Sequence, residues 1–263
     1  MKQALTVLAR EAGATLAAFL FTRLGADATS AIEGGSVHVG GRRVRDPARR
    51  LAAGERVLLY DPPARAPLQL RIVHEDADLI VVDKPAGLPV AATRQSAAYA
   101  LDALLRAAGR DYVGVLHRLD LAASGLVVLS RRRAANAALH AALSTHAAER
   151  RYVALVAGRL RAQAGRWTGP VGEKPAATGF RVGERLPQAT LVDLALETGR
   201  THQIRVHAAA AGHPVVGDLR HGGPPAARLM LHAHTLALAS GRFLAPPPPD
   251  FEAVLTAWRR RAG

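Results

Sequence analysis

The chain has no cysteine. Disulfides, thiolate zinc sites and a cysteine nucleophile are therefore excluded. Lysine is nearly absent too: Lys2, Lys84 and Lys174 are the only ones, so almost all of the 35 basic residues are arginine. Acidic residues number 21, which leaves a net charge of +14. A surplus of this size favours a polyanionic partner. Abundant arginine and alanine also follow from GC-rich coding, so charge alone leaves nucleic acid open. No apolar run approaches the length of a membrane span, and the first residues lack the basic region and apolar core of a signal peptide. The expectation is a cytoplasmic monomer without membrane contact. What is present is 263 residues, 49 % of them apolar, enough for one large domain and one small one.

Residues 1–62 read as the small module. A short strand is expected at 5–8. Leu16, Phe19, Leu20 and Leu24 recur at helical spacing over 15–24. A second helix over 28–33 would stop at Gly34 and Gly35. Gly40 and Gly41 then form a two-residue turn between strands at 37–39 and 42–44, and 56–60 is another strand. Arg42, Arg43, Arg45, Arg49 and Arg50 cluster around that hairpin, either as a solvated surface or as a track for phosphates. The proline-punctuated stretch from 61 to 67 is the best boundary, which makes 63–69 a linker and 70–263 the second domain.

The second domain is organised around residues 115–130. Two apolar runs, 113–116 and 126–129, read as buried strands. Between them lie His117, Arg118, Leu119 and Asp120, then a small-residue turn over 122–125. A charge at the end of a buried strand needs a partner or a task. Further strands are expected at 70–73, 79–82, 149–157, 177–182, 189–196 and 227–238, with a short one at 243–244. Helices are expected at 98–108, 134–145 and 202–211, the last capped by Thr201, and at the C-terminus after Asp250. Lys84, before Pro85 at a strand end, is either part of a turn or a contact for a polyanionic partner. His202 and His207 are five apart, the wrong step for two ligands on one helical face, and no metal site is read here.

His117-Arg118-Leu119-Asp120 followed by Ser124-Gly125 resembles the signature of the RluA-type pseudouridine synthases. Three more stretches agree in order: 83–90, beginning Asp83-Lys84-Pro85; 151–158, around Tyr152; and 198–207, Thr-Gly-Arg-Thr-His-Gln-Ile-Arg-Val-His, with Gly212-His213-Pro214 and Gly217-Asp218 after it. The resemblance spans most of 70–240. It departs at Leu121-Ala122-Ala123, where the family carries a Lys-Asp-Thr-like run, and at His221, where it carries tyrosine. The helix, hairpin and strand pattern of 1–62 resembles the αL RNA-binding fold found ahead of many such enzymes. The fold implied is α+β: a mixed, mostly antiparallel sheet, with a small αL-like module in front.

The resemblance implies an enzyme that isomerises uridine in ribosomal or transfer RNA. The reaction breaks the nitrogen–carbon bond between uracil and ribose and rejoins the ring through its carbon five. It is redox-neutral and needs no cofactor. It needs a carboxylate, a site for the detached ring and a base taken out of its stack. By resemblance Asp120 is the carboxylate and Arg205 its partner. Arg118 fills the space left by the flipped uridine, Tyr152 stacks on the base, Leu119 and Ile204 are apolar walls and His117 supports the loop. Whether Asp120 attacks the sugar, adds to the ring or removes a sugar proton stays open. Two competing readings are an RNA-binding protein with a degenerate synthase fold, suggested by the altered loop after Asp120, and a metal-dependent hydrolase, for which no histidine–carboxylate spacing is convincing.

Overall fold

The computed structural model describes residues 2–24, 28, 31–32, 36–60, 69–91, 100–144 and 148–260. The chain divides into two compact units, one built on residues 1–69 and the other on 70–91 and 100–263. Among the described residues no helix is long and apolar enough to cross a membrane.

The first unit contains β1 (Lys2–Thr6), α1 (Leu16–Leu24), β2 (Val37–Val39), β3 (Arg42–Arg43) and β4 (Arg56–Tyr60). Its sheet runs β1-β4-β2-β3, with every neighbour antiparallel. Gly40 and Gly41 take φ of 58° and 79°, the pair of positive values that a two-residue turn of matching twist requires. Leu16, Phe19 and Leu20 of α1 are buried in one cluster with Val37, Val57 and Leu59 of the sheet. The first strand begins earlier than expected. At Leu8 the chain already turns into a single 3-10 turn, Ala9–Glu11, and the Glu11 carboxylate accepts the Leu8 N–H at 3.0 Å. Ala28, Ala31 and Ile32 are helical, but the expected stop at Gly34 and Gly35 and the linker at 61–67 lie outside the described residues.

The second unit carries β5 (Arg71–Glu75), β6 (Leu79–Lys84), α2 (Leu101–Ala107), β7 (Gly114–Val115), β8 (Ser124–Ser130), α3 (Asn136–Ser144), β9 (Glu149–Ala157), β10 (Ala164–Val171), β11 (Lys174–Arg185), β12 (Ala189–Leu196), α4 (Gln203–Ala210), β13 (Leu231–Leu238), β14 (Gly241–Leu244) and α5 (Pro249–Arg259). The sheet order is β10-β11-β12-β9-β13-β8-β6-β5, with β14 on β13 and β7 on β8. The pairing of β13 with β8 is parallel, and the other ladders are antiparallel, so the sheet is mixed and mostly antiparallel. Every residue of β8 is buried, which is why its middle, 126–129, reads as a continuous apolar run rather than an alternating one. Phe251, Leu255 and Trp258 bury one side of α5; full burial of side chains of this size is worth roughly 1.5–3 kcal/mol each.

Several expectations need correction. Ser124 and Gly125 are not turn residues; they start β8. Gly125 stands at φ 114°, and a Cβ there would lie 2.3 Å from the carbonyl oxygen of Ala233, so the small residue permits the close crossing of β8 and β13. The strand expected at 113–116 pairs only at Gly114 and Val115. Just beyond it, the His117 Nε2 accepts the Val128 N–H at 3.0 Å in place of a backbone carbonyl, so the ladder ends and the chain turns away. Thr201 does not cap α4. His202 does, at φ 57° and without a side-chain bond. The C-terminal helix opens at Pro248 and Pro249, while Asp250 instead takes the Arg228 guanidinium at 2.7 Å. A strand at 164–171 is not expected from the sequence pattern. β10 lacks an apolar stripe and is held at the sheet edge by the stacking of Trp167 on Phe180, ring centres 4.8 Å apart.

Candidate active site

The loop between β7 and β8 carries Asp120, and two distant stretches hold it. The first is the end of β6. Lys84 is fully buried, and its Nζ donates to the carbonyl oxygens of Ala123 (2.7 Å), Pro85 (3.0 Å) and Leu121 (3.4 Å). The Gly87 N–H adds a bond to the Leu121 carbonyl at 2.7 Å. Burial, reinforced by the charge of Arg228, pulls the Lys84 ammonium down to about 7, against the pull of Asp120. A contact between Lys84 and RNA is thereby excluded: the side chain is a clamp beneath the loop. The second is Ser124, whose Oγ accepts from Arg228 Nη2 at 2.6 Å and donates to His232 Nδ1 at 2.8 Å, while His232 Nε2 donates to the Ala245 carbonyl at 3.0 Å. Each polar atom of that buried chain has a partner.

Asp120 Oδ2 accepts from Arg205 Nη1 at 3.0 Å. Arg205 gives its other two donors, Nε and Nη2, to the two oxygens of Asp218, both at 2.7 Å. Asp218 is 1 % exposed in its side chain and Arg205 10 %, so one guanidinium is locked between two carboxylates in a nearly dry place. The Asp218 hydrogen bond raises the Arg205 pKa above its ordinary value, with Asp120 adding to it. Burial pushes the Asp218 carboxyl up, but the Arg205 bond and charge outweigh it and hold the carboxyl below its usual range. The other oxygen of Asp120 faces His202 Nε2 at 3.8 Å. Burial lowers the His202 pKa, against the Asp120 charge, and its ring meets His221 edge-on with centres 5.6 Å apart.

The stretch from Thr198 to His207 folds around Gln203. The Gln203 amide nitrogen donates to the Ala177 carbonyl (2.9 Å) and to Thr178 Oγ1 (3.0 Å), and its oxygen accepts from Thr198 Oγ1 (2.7 Å) and the Arg200 N–H (3.1 Å). His207 joins the network through Thr178 Oγ1 at 2.9 Å and the Gly169 carbonyl at 3.3 Å. This stitching turns α4 so that Ile204 and Arg205 point inward.

Asp120, Arg118, Leu119, His117, Tyr152, Ile204 and Arg205 all line one cleft of about 520 Å³, a size suited to a nucleoside-like group. Leu119 and Ile204 are buried, Arg118 is exposed, and Tyr152 is half-buried. Burial raises the Tyr152 hydroxyl pKa, Arg150 opposes this, and Asp120 adds to it. His117 is driven down to about 4, first by burial and then by Arg150; accepting from Val128 through Nε2, it is neutral with its proton on Nδ1. Sequence reasoning did not single out Asp218, Gln203, Lys84 as a clamp, or Arg150. The arginines of the first unit divide: Arg42, Arg43 and Arg50 are exposed, Arg50 reaches the Gly13 carbonyl at 2.7 Å, Arg49 pairs with Glu55 at 2.9 Å, and Arg45 is half-buried.

Comparison with known proteins gives the family. The family profile described as RNA pseudouridylate synthase matches residues 78–210, which contain Asp120, Tyr152 and Arg205. A ribosomal large subunit pseudouridine synthase D of Vibrio parahaemolyticus is 34 % identical over 275 residues, spanning 86 % of this chain and 84 % of its own. The same-named protein of Nitrosomonas europaea is 37 % identical, spanning 73 % of this chain and 66 % of its own. An RNA pseudouridine synthase of Aquifex aeolicus, itself uncharacterised, is 33 % identical over 73 % of this chain and 70 % of its own. Among solved structures, human RNA pseudouridylate synthase domain containing 1 superposes with a TM-score of 0.61 at 26 % identity, covering 72 % of this chain and 88 % of that one. With the four sequence stretches in order and a family match that takes in the whole Asp120 loop, the chain belongs to the RNA pseudouridylate synthase family, in its RluA-type branch, and is an isomerase of uridine in RNA.

Proposed function

We propose that this protein converts specific uridines of ribosomal RNA to pseudouridine, with Asp120 as the catalytic carboxylate. The observation that carries this is the pairing of Asp120 with Arg205, itself gripped by Asp218, on the floor of a cleft that also holds Tyr152. The guanidinium gives Asp120 a fixed cationic partner in a partly dry place, and one of the carboxylate oxygens stays free of Arg205. Leu119 and Ile204 give the detached ring an apolar wall, and the Tyr152 ring offers it a stacking face. Arg118, exposed at the mouth, is placed to take the position of the extruded uridine and contact the RNA backbone. Ribosomal rather than transfer RNA is the favoured target because close relatives carry ribosomal names.

In the same reading residues 1–62 are an RNA-binding module of αL type, 63–69 a linker and 70–263 the catalytic domain. Arg42 and Arg43, exposed on the β2–β3 hairpin, are its phosphate contacts. The protein acts as a cytoplasmic monomer. The degenerate, binding-only alternative is disfavoured by a cleft that keeps the carboxylate, its cation and the tyrosine together despite Leu121-Ala122-Ala123. The deciding experiment is tritium release from RNA labelled at uridine carbon five: release by the wild type is expected, and intact RNA binding without release from any cellular RNA would establish the alternative. Pseudouridine maps of a deletion strain and its parent then identify the target.

A further inference from the structure

Arg150 and Arg151 are neighbours on β9, yet the pleat sends them to opposite faces. Arg151 is doubly paired, to Glu149 at 2.7 Å and to Asp193 at 2.9 Å. Arg150, on the same face as Tyr152 two residues on, has no hydrogen bond or ion pair among the described residues, and its Nε is buried without a partner among them. The guanidinium lies beside Gly199, where an added Cβ would come within 2.9 Å of its Nη1. Buried donors normally find acceptors, and a charged donor without one marks an acceptor that arrives with a ligand.

The charge of the cleft says what kind of acceptor. Its lining holds four arginines and a single carboxylate, Asp120, which Arg205 already occupies. An incoming anion is required, and RNA is one. We propose that Arg150 is a phosphate-binding residue that grips the backbone beside the extruded nucleotide while Tyr152 faces its base. A guanidinium matches a phosphate edge with two parallel hydrogen bonds. Two strand residues separate Arg150 from Tyr152 by about 6.5–7 Å, so base and backbone are engaged side by side on one wall. Arg150 thus sets how deeply the nucleotide enters.

This inference rests on the synthase reading above, and its test separates the two. Wild type, Arg150→Gln, Arg150→Lys and a control, Arg259→Gln, whose arginine pairs with Glu184 on the C-terminal helix away from the cleft lining, are compared on total RNA from a strain lacking the gene, labelled with tritium at uridine carbon five. Both RNA binding and tritium release are measured from low to high salt. Arg150→Gln is expected to raise the half-saturating RNA concentration about tenfold and more than it lowers maximal release, and to flatten the slope of log affinity against log salt by about 0.7, the loss of one phosphate contact to single-stranded RNA. Arg150→Lys keeps the charge and is expected to keep the slope while binding less tightly; should the glutamine variant misfold, this arm decides alone. A slope equal to wild type in Arg150→Gln overturns the proposal, and if only maximal release has fallen the residue serves the ring instead. A slope in Arg150→Lys as flat as expected for glutamine also overturns it. Binding without any release by the wild type defeats the synthase reading, while the slopes still decide the role of Arg150.

Discussion

The floor and the wall of the cleft use the same residue type for opposite ends. On the floor, Arg205 spends its donors on Asp120 and Asp218 and is almost out of contact with solvent. On the wall and rim, Arg118 and Arg150 have no carboxylate among the described residues. A closed ion set fixes geometry; open cations remain available to an incoming anion. On the function proposed above, the floor serves chemistry and the rim binding. Substitutions on the floor should therefore strike turnover and stability, and those on the rim affinity and its salt dependence.

The largest effect is expected for Asp120→Asn. The amide keeps the shape and can still accept from Arg205, but it can act neither as nucleophile nor as base. Tritium release should fall below detection. RNA affinity should hold or rise, because a negative charge has left a site that receives a polyanion. Retained turnover would reject the assignment of Asp120 and with it the contrast between floor and rim.

Asp218→Asn comes next. It leaves Asp120 intact, removes one of the two carboxylate charges that grip Arg205, and leaves a single amide oxygen to accept where two oxygens did. Breaking a buried pair from one side costs about 3 kcal/mol, so the melting temperature should drop by roughly 6–12 °C for a domain of this size. Release should fall with it, because Arg205 no longer holds Asp120 at a fixed angle. A variant with wild-type melting and wild-type release would show that the second carboxylate is dispensable and that the floor is not a closed set.

The region near Asp120 is legible in the sequence in part, and the reasons differ from residue to residue. Asp120, Tyr152 and Arg205 stand in stretches whose residue order is distinctive, so their convergence follows from the resemblance those stretches carry. Asp218 stands in such a stretch too, but a sequence shows no sign that a carboxylate thirteen residues beyond Arg205 returns to it across a turn. Lys84 is ambiguous because its partners are backbone carbonyls, and carbonyls are the same in every sequence. The strands of the sheet interior announce themselves by their apolar runs. β10 does not, because an edge strand without a fully buried residue has no apolar signature. Thr201 is favoured as a cap by type, but the backbone reverses one residue later, at His202, where Gln203 ties the loop from inside.

Acid offers a milder probe of the floor's support. His117 is neutral and its folded pKa, about 4, lies below the ordinary value of about 6.5. Between those two values the unfolded chain binds a proton that the folded one refuses, so stability rises with pH through the window and is lost as pH falls from about 6.5 toward 4, by up to about 1.4 kcal/mol per pH unit. Urea unfolding at a series of pH values should show that slope, and His117→Gln, which keeps an acceptor for the Val128 N–H, should flatten it. Parallel curves for the two proteins would place the acid-sensitive group elsewhere.

The smallest effect is expected in the other compact unit, at the β2–β3 hairpin. Arg42 and Arg43 are exposed there, on a two-residue strand set by the positive-φ glycine turn. If that hairpin tracks RNA phosphates, each arginine contributes through counterion release, a term that depends on charge and hardly on contact geometry. Arg42→Gln should then weaken binding by a factor of a few at low salt, flatten the salt slope by less than one unit, and lose its effect as salt rises, whereas Arg42→Lys should match the wild type. Arg150 is expected to differ in that last respect, since a bidentate, partly buried pair depends on the planar guanidinium as well as on charge. A lysine at position 42 that binds as poorly as glutamine would mean that the hairpin reads RNA by shape, not by charge. A glutamine there with the full wild-type slope would reduce the hairpin to a solvated arginine surface and leave the cleft rim as the sole phosphate-binding region.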